Sequence, residues 1–345
     1  MRKMATIRRI DGIRPIPDAD AIECAVVGGW TVVVKKHEYR AGDIAIYCEI
    51  DSWIPTEIAP FLSKGQEPRE FEGIKGERLR TVRLRGQLSQ GLLLPFTGAM
   101  AIGLGAQFGS RFSDYIGTDV SDILGIKKYE PPIPAQLGGQ VRGHFPSSIP
   151  KTDQERIQNL SDKMTEWHDR GYTWEITEKL DGTSMTVFLE RDGRFGVCGR
   201  NWELAETDDN SLWKAARSDD IESKLRDLGK AIALQGELIG EGIQGNPYKI
   251  KGQRFYVYDA YDIRDTRYWA AIDRQRLMQE LGLLHVPVVT HHAIPDTIPG
   301  LLEFAEGKSH LNGITEREGL VFKCRENPGV SFKAISNRFL MKTDG

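Results

Sequence analysis

The sequence is poor in cysteine and has no excess of basic residues. Its 345 residues include four cysteines, Cys24, Cys48, Cys198 and Cys324, and no two of them form a CxxC pair. This scatter argues against a zinc ribbon and against a disulfide framework. The 46 lysines and arginines are offset by 49 acidic residues, which gives a net charge of −3. Any basic surface must therefore be local, and composition neither requires nor excludes a nucleic-acid partner.

Long apolar runs and a secretory signal are also missing. The apolar runs are far shorter than the ~20 residues that span a bilayer. The first residues, MRKMA, lead at once into charged residues, so no signal peptide is visible. The adjacent His291 and His292 point to opposite faces of a strand, and a histidine-built metal site is not expected. We expect a soluble, intracellular, cytoplasmic protein with no membrane partner.

The length predicts about two domains, at roughly 150 residues each. The first 125 residues contain short β segments at 30–34, 43–50, 79–85 and 91–94 between glycine turns, which predicts a small β-barrel. Prolines and glycines crowd residues 126–150 and predict a linker. Residues 151–345 predict a second domain, with helices near 210–228 and 273–281. A further helix is predicted to begin near 152, with Thr152 or Asp153 as its N-cap and Glu155 completing a capping box to Thr152. The chain is therefore of the α+β class.

One predicted barrel strand carries two arginines on the same face. Alternation places Val82 and Leu84 on one face and Thr81, Arg83 and Arg85 on the other, so that the guanidinium groups line the outside. A solvated strand face is one interpretation. The other is a stripe that contacts phosphates, since small five-stranded barrels present such strands to oligonucleotides.

A lysine between two acids begins the most informative part of the sequence. Lys179, Asp181 and Gly182 form the pattern K-x-D-G between two apolar runs, which predicts an ammonium group at a tight turn between strands. The pattern alone is weak, because a surface turn with a solvated lysine would look the same. Five further segments follow it in order, and they contain Arg200, Gly236 with Glu237, Tyr256 with Tyr258, Glu318 to Lys323, and Phe332 with Lys333.

In this order the six segments resemble the motifs of the covalent nucleotidyltransferases, the superfamily of ATP-dependent ligases and mRNA capping enzymes. Within it, the sequence is similar to the Naegleria- and Deinococcus-type RNA ligases, and residues 46–55, 87–95 and 145–159 extend the similarity beyond the motifs. The resemblance implies an N-terminal oligonucleotide-binding (OB-type) barrel followed by an adenylyltransferase domain of antiparallel sheets and helices. DNA ligases and capping enzymes place a barrel after the last motif, whereas 12 residues follow Lys333 here.

The resemblance assigns a role to each motif residue. Lys179 would attack the α-phosphate of ATP and hold AMP covalently. Three carboxylates, Asp181, Glu237 and Glu318, would bind Mg²⁺ or Mn²⁺, largely through water. With Lys333 these residues form the predicted catalytic set. The predicted nucleotide contacts are Glu178 to the adenine amino group, Glu237 to the ribose, Arg200 near ribose and phosphate, Tyr258 stacked on the base, Lys333 on the α-phosphate, and Lys323.

Two assignments stay open at this point. Tyr256 and Phe255 compete with Tyr258 for the stacking role, because all three lie in one strand segment. Many ligases carry a second lysine two residues after the first in the last motif, but Ile335 stands there, so that Lys342 or Lys323 would have to supply the charge. A solvated strand position is the alternative for Lys323.

The sequence thus predicts an ATP-dependent RNA ligase that seals breaks with a 3′-hydroxyl and a 5′-phosphate, above all nicks in duplexes whose 3′-hydroxyl strand ends in RNA. Arg83 and Arg85 are the candidate nucleic-acid contacts, and no obligate protein partner is predicted. The alternatives are a GTP-dependent capping-type guanylyltransferase and an RNA-binding protein with an inactive nucleotidyltransferase domain. A decayed site would be expected to have lost at least one member of the catalytic set, and all are present.

Overall fold

The computed structural model describes residues 3–105, 110–130 and 139–343. The chain divides into two compact units, Met1–Pro132 with Leu340–Gly345, and Ile133–Phe339. The predicted linker, 126–150, begins with a short strand of the first unit and carries near its end a strand that joins a sheet of the second. Residues 131–138 of that stretch lie outside the described residues.

The described part of the first unit consists mainly of short strands. The strands are β1 (Ala5–Arg9), β2 (Gly12–Pro15), β3 (Ile22–Val27), β4 (Trp30–Lys35), β5 (Ile44–Cys48), β6 (Ser52–Pro55), β7 (Arg69–Phe71), β8 (Ile74–Arg78), β9 (Val82–Leu84), β10 (Gln87–Ser89), β11 (Leu92–Pro95) and β12 (Lys127–Lys128). Helix α1 spans Gly98–Gly103, and single 3₁₀ turns lie at Pro60–Ser63 and Phe112–Tyr115. The strands form the sheets β1-β5-β11, β2-β3-β4, β12-β6-β8-β7 and β10-β9.

Strand β5 lies between two halves of the core of this unit. Ile46 and Cys48 pack into one buried cluster, and Ala45 and Tyr47 pack into another with Trp30. A strand that is buried on both faces has an almost continuous apolar sequence, which is why the pattern of residues 43–50 predicted it correctly.

The predicted strand at 79–85 is wrong in its extent. β8 ends at Arg78, and β9 pairs with β10 as a two-stranded ribbon closed by Arg85 and Gly86, whose φ angles are 50° and 79°. Val82 and Leu84 are 43% and 42% exposed. Among the described residues, β9 and β10 pair with each other and with no third strand, and the apolar side chains of β9 are open to solvent.

The second unit contains two sheets and six helices in its described part. Its strands are β13 (Val141–His144), β14 (Glu155–Arg156), β15 (Trp174–Lys179), β16 (Thr183–Leu189), β17 (Phe195–Cys198), β18 (Trp202–Leu204), β19 (Ile232–Gly240), β20 (Gln253–Asp262), β21 (Arg267–Tyr268), β22 (Leu284–His285), β23 (Val288–His292), β24 (Gly319–Cys324) and β25 (Ser331–Ile335). Its helices are α2 (Met164–Asp169), α3 (Ser211–Ser218), α4 (Ile221–Leu228), α5 (Ala271–Leu281), α6 (Ile298–Phe304) and α7 (Asn337–Thr343), the last of which continues into the first unit, with 3₁₀ turns at Ile157–Asn159 and Ser161–Lys163.

The larger sheet has the order β13-β18-β17-β16-β19-β20-β21, with β22 joined to β20, and the smaller one β14-β25-β24-β15-β23. Side chains of α3, α4 and α5, among them Trp213, Leu225 and Leu277, form one core with the larger sheet. Trp167 of α2 and Leu301 of α6 form another with the smaller sheet. The predicted helices near 210–228 and 273–281 are confirmed. No helix among the described residues is long and apolar enough to cross a membrane.

The predicted helix entry at Thr152 or Asp153 is wrong. Residues 151–154 are irregular, and the strand β14 follows them. The side chains that would have capped a helix bond elsewhere: the Thr152 hydroxyl accepts a hydrogen bond from Tyr258, and Asp153 forms an ion pair with Arg200. Glu155 lies in the strand instead of completing a capping box.

Candidate active site

The K-x-D-G turn connects the two sheets of the second unit. Lys179 is the last residue of β15 in the smaller sheet, and β16 of the larger sheet begins at Thr183. A Cβ atom on Gly182 would lie 2.4 Å from the carbonyl oxygen of Leu238 and 2.6 Å from Ile239 Cγ2. The turn therefore requires glycine at this position because it passes directly over the backbone of β19.

Lys179 forms an ion pair with Glu318. The distance from Nζ to Oε2 is 2.7 Å, and the two side chains are 26% and 16% exposed. The pairing of β15 with β24 produces this contact, since Lys179 lies opposite Gly319, the residue that follows Glu318. A Cβ atom on Gly319 would lie 2.2 Å from the carbonyl oxygen of Ala334, so close packing also explains the glycine of the E-G motif.

Three carboxylates surround the Lys179 ammonium group. Burial favours the neutral amine, but the charges of Glu318, Glu237 and Asp181 outweigh burial, and the pKa of Lys179 is raised above its ordinary value. Burial and the charge of Glu318 raise the pKa of Asp181 to about 6. Burial also raises the pKa of Glu237 to about 7, although Lys179 opposes the change. The site thus holds more negative charge than one ammonium group compensates.

This donor set fits a hard divalent cation bound through water. All three acids offer carboxylate oxygen, the ligand that Mg²⁺ and Mn²⁺ prefer. In the described residues, however, no three His, Cys, Asp or Glu side chains lie close enough together to hold a metal ion directly. That Asp181, Glu237 and Glu318 hold a cation through its water shell stays a prediction.

Glu178 presents a buried acceptor to the interior of the site. Its Oε2 accepts a hydrogen bond of 2.7 Å from the backbone N–H of His310. Its Oε1 is buried, and no described residue donates a hydrogen bond to it. A ligand that carries an amino group would satisfy this oxygen. Glu178 adjoins a small apolar cluster that consists of Leu180, Ile239, Tyr248 and Val286, with Ile250, Tyr256, Tyr258 and Leu311 at its edge.

The structure narrows the choice of an aromatic residue for base stacking. Phe255 is buried in the main core of the unit, on the other face of β20. Tyr256 and Tyr258 both pack against the small apolar cluster of Leu180 and Tyr248. The Tyr258 hydroxyl donates a hydrogen bond of 2.9 Å to Thr152 Oγ1, which holds the end of its side chain.

Asp153 lies close to Arg200 and Lys333, the two cations predicted to contact phosphate. Its Oδ1 lies 3.2 Å from Arg200 Nη2 and 3.9 Å from Lys333 Nζ. Arg156 is the register partner of Lys333 in the parallel pair β14–β25, which places a third cation on the neighbouring strand. The sequence analysis did not single out Arg156. The available signal was its position in segment 145–159, which resembles the RNA ligases.

Lys323, a predicted nucleotide contact, is buried behind Tyr258. Its Nζ lies 2.6 Å from Asp259 Oδ1, donates to the carbonyl oxygen of Tyr258 at 2.5 Å, and stands 5.5 Å from the centre of that ring. Burial lowers the pKa of Lys323 to about 8. Arg274 pairs with Glu175 and lies 3.7 Å from Asp259, so two acids and two bases form a buried network between the sheets. Within the protein, the Lys323 ammonium group is therefore paired with the Asp259 carboxylate.

Arg83 and Arg85 lie in the first unit, on the β9–β10 ribbon. Arg83 Nη1 donates a hydrogen bond of 2.7 Å to the carbonyl oxygen of Met341. Arg85 is in the turn that closes the ribbon. The structure brings Lys179, Asp181, Glu237, Glu318 and Glu178 together around the turn in the second unit, but these two arginines are not part of that group.

Comparisons with known proteins agree with both halves of this description. A family model described as an OB-fold domain matches residues 4–96, and one described as RNA ligase matches residues 172–339. These matches confirm the predicted order of an OB-type barrel followed by a nucleotidyltransferase domain. A search of curated protein sequences gave no match.

The whole chain is also similar to solved structures of an RNA ligase from Naegleria gruberi. A mutant with AMP and Mn is 48% identical with a TM-score of 0.83, a mutant with ATP and Mn is 48% identical with a TM-score of 0.82, and the protein with PPi is 47% identical with a TM-score of 0.82. In each case the match covers 99% of this chain and 99% of the other.

Proposed function

This chain belongs to the RNA ligase family, and we propose that it uses ATP to seal breaks that carry a 3′-hydroxyl and a 5′-phosphate, with Lys179 as the nucleophile. One observation carries the proposal: Lys179 stands at the turn between two sheets, 2.7 Å from Glu318 and surrounded by carboxylates. A solvated surface lysine would have no such surroundings. The same constellation supports an active enzyme over an RNA-binding protein with a decayed site.

Lys179 would first attack the α-phosphate of ATP. The new P–N bond forms as the bond between the α- and β-phosphates breaks, pyrophosphate leaves, and AMP remains on the lysine. AMP then passes to the 5′-phosphate of the RNA, which converts a poor leaving group into an anhydride. Attack of the 3′-hydroxyl on this phosphate releases AMP and forms the phosphodiester.

The amine must lose a proton before it can attack, and its raised pKa opposes this loss. Glu318 Oε2 already accepts a hydrogen bond from Nζ and is the nearest group to take the proton. A divalent cation, held through water by Asp181, Glu237 and Glu318, would neutralise carboxylate charge and polarise the phosphate oxygens. The chain's own residues then orient the nucleophile and hold the nucleotide.

The base and the phosphates have separate contacts in this proposal. Glu178 Oε1 accepts from the adenine amino group, and Tyr258 stacks on the ring. Lys333 and Arg200, both beside Asp153, contact the α-phosphate and the ribose-phosphate region. Guanine would turn a carbonyl oxygen toward the Glu178 carboxylate, which disfavours a GTP-dependent capping enzyme.

The substrate is tested with matched nicked duplexes. One has an RNA 3′-hydroxyl end at the nick and the other a DNA 3′-hydroxyl end, with all other positions the same. We expect ATP and Mg²⁺ or Mn²⁺ to support joining of the RNA-ended nick. Joining of the DNA-ended nick should be at least about tenfold slower, because a site that hydrogen-bonds the 2′-hydroxyl of the terminal nucleotide discriminates against a substrate that lacks it. Equal rates on both would contradict the proposed preference.

Glu178→Gln is expected to weaken ATP use and to shift preference toward GTP. The His310 N–H requires an acceptor, so the amide oxygen of Gln would turn to it and leave the amide nitrogen facing the base. The amide NH₂ of the new side chain would then face the adenine amino group, and two donors cannot bond each other. We expect the half-saturating ATP concentration to rise by about 10- to 100-fold. Labelling of the protein by radioactive ATP and GTP measures both changes. An unchanged ATP preference would exclude Glu178 as the base-reading residue.

We propose that Arg83 and Arg85 bind phosphates of the substrate. Arg83→Ala with Arg85→Ala should weaken binding of a nicked duplex and reduce its salt dependence by about one unit of slope for each phosphate that is no longer bound. Arg83 also donates a hydrogen bond to the Met341 carbonyl, so its loss removes a contact within the protein as well as a charge. Arg85→Ala alone shows the effect of removing charge without removing that contact. Arg69→Ala, which likewise removes one positive charge, is the matched control for Arg85→Ala. If the double variant binds the nicked duplex with the wild-type affinity and salt slope, the ribbon does not contact the substrate.

A further inference from the structure

Two loops of the second unit meet beside the nucleophile turn. The first connects β19 to β20 and comprises residues 241–252, and the second connects α6 to β24 and comprises residues 305–318. They are joined at the carbonyl oxygen of Pro247, which accepts hydrogen bonds of 2.7 Å from Thr315 Oγ1 and 3.3 Å from Asn312 Nδ2. We call these two segments the clasp.

The clasp holds the backbone on both sides of Lys179. The backbone N–H of Asp181 donates a hydrogen bond of 2.6 Å to the Tyr248 hydroxyl, and Gln244 Nε2 lies 3.4 Å from the carbonyl oxygen of Gly182. On the other side, His310 donates its N–H to the Glu178 carboxylate. The nucleophile thus stands between two points at which the clasp binds the chain.

The first loop of the clasp has a defined and unusual backbone. Gln244, Asn246 and Lys249 have φ angles of 46°, 49° and 55°, in the left-handed region that side chains other than glycine rarely adopt. Such conformations persist where the surroundings determine them. Here the Asn246 side chain closes the loop, because it accepts from the N–H of Ile250 and donates to the carbonyl oxygen of the same residue.

Tyr248 is the residue of the loop that reaches the turn. Tyr248 is 4% exposed, and it packs in the cluster with Leu180, Ile239 and Val286. Burial raises the pKa of the phenol, and the charge of Glu178 adds to this effect, so the hydroxyl stays protonated and neutral. A rigid, neutral side chain of this kind can hold its oxygen at one place as charges change in the site.

The Asp181 amide lies outside both strand ladders. Lys179 is the last residue of the β15 ladder, and the β16 ladder resumes at Thr183. The Asp181 amide lies between the two ladders, and the Tyr248 hydroxyl is its acceptor. Loss of that acceptor would leave a backbone donor without a partner and free the turn to shift. A shift of about 1 Å is enough to slow a positioned reaction by roughly 100-fold.

We propose that Tyr248 is a positioning residue for the attack by Lys179, and that its hydroxyl fixes the turn carrying Lys179 and Asp181 through the Asp181 amide. The reaction named here rests on the proposed function, whereas the contact itself does not. Tyr248 acts through the backbone and needs no contact with the reacting atoms. The clasp in this way couples the base acceptor Glu178 to the position of the nucleophile.

Tyr248→Phe removes the hydroxyl and keeps the ring. In the protein without nucleotide, hydrogen–deuterium exchange of the Asp181 amide should become at least about tenfold faster, because its acceptor is removed. Single-turnover labelling by saturating ATP should slow by about 10- to 100-fold, while the half-saturating ATP concentration changes less than about threefold. Tyr261→Phe, which removes a phenol hydroxyl from another buried cluster of the unit, should change neither measurement.

The outcomes separate this inference from the proposed function. Unchanged exchange at Asp181 and an unchanged labelling rate in Tyr248→Phe would overturn the positioning role. A lower melting temperature with an unchanged labelling rate would do so too, since it would show a purely structural residue. If wild-type protein acquires no label from ATP, the proposed function fails instead, and the exchange measurement still decides whether Tyr248 holds the turn.

Discussion

Lys179→Ala is expected to abolish the covalent labelling of the protein by ATP. The reaction requires an amine at this position, and alanine offers no nucleophile. Sealing of an unmodified nick should be abolished with it, because no AMP reaches the 5′-phosphate. A nick that already carries AMP on its 5′-phosphate should still be sealed in part, since it bypasses the first two steps. Gel-resolved labelling and joining assays measure all three.

Lys179→Arg is the matched control for the loss of charge. Arginine keeps a cation beside Glu318 and Asp181, but its guanidinium group is protonated and does not act as a nucleophile at neutral pH. Both variants should fold, because the side chain is 26% exposed and stands at a turn. Labelled Lys179→Ala protein would contradict the assignment, and labelled Lys179→Arg would point to a different nucleophile.

Glu318→Ala should slow labelling by about 10²- to 10⁴-fold. The variant removes the nearest acceptor for the Lys179 proton and one of three carboxylates placed to hold a hydrated cation. Glu318→Asp should recover only part of the rate, because one methylene fewer shifts the carboxylate away from Nζ. Rates of lysyl-AMP formation at saturating ATP and several Mg²⁺ concentrations measure these effects.

Glu303→Ala is the control for this experiment, since it removes an equal charge from the exposed face of α6. It should label at the wild-type rate. Near-normal labelling by Glu318→Ala at saturating Mg²⁺ would mean that Glu318 serves only to hold the strand ends together. Full recovery by Glu318→Asp would mean that charge, without a defined position, is sufficient.

The nucleophile turn was predictable from sequence because local chemistry determines it. An apolar strand that ends at Lys179, followed by Asp181 and Gly182, specifies a tight turn wherever it occurs. The order of the motifs then identified Glu237 and Glu318, although they are far from Lys179 in the chain. The strand β5 and the helices α3 to α5 were also predictable, because their apolar patterns match regular elements.

Other features depend on contacts that no local pattern records. Thr152 and Asp153 look like helix caps, but they bond Tyr258 of β20 and Arg200 of the loop between β17 and β18, both distant in the chain. Lys323 fits a solvated strand position by its sequence, yet it is buried and pairs with Asp259 of the other sheet. Tyr248 gave no signal at all, because its partner is a backbone amide 67 residues away in the chain. These long-range contacts require the packed tertiary structure.

The most direct test of the central claim is to locate AMP on the protein. Wild-type protein is incubated with ATP and Mg²⁺ or Mn²⁺ in the absence of RNA, digested, and mapped by mass spectrometry under conditions that preserve the acid-labile P–N bond. We predict one added AMP, on the peptide that contains Lys179, from ATP and not from GTP. An adduct on another residue, or no adduct while RNA is still joined, would contradict this claim.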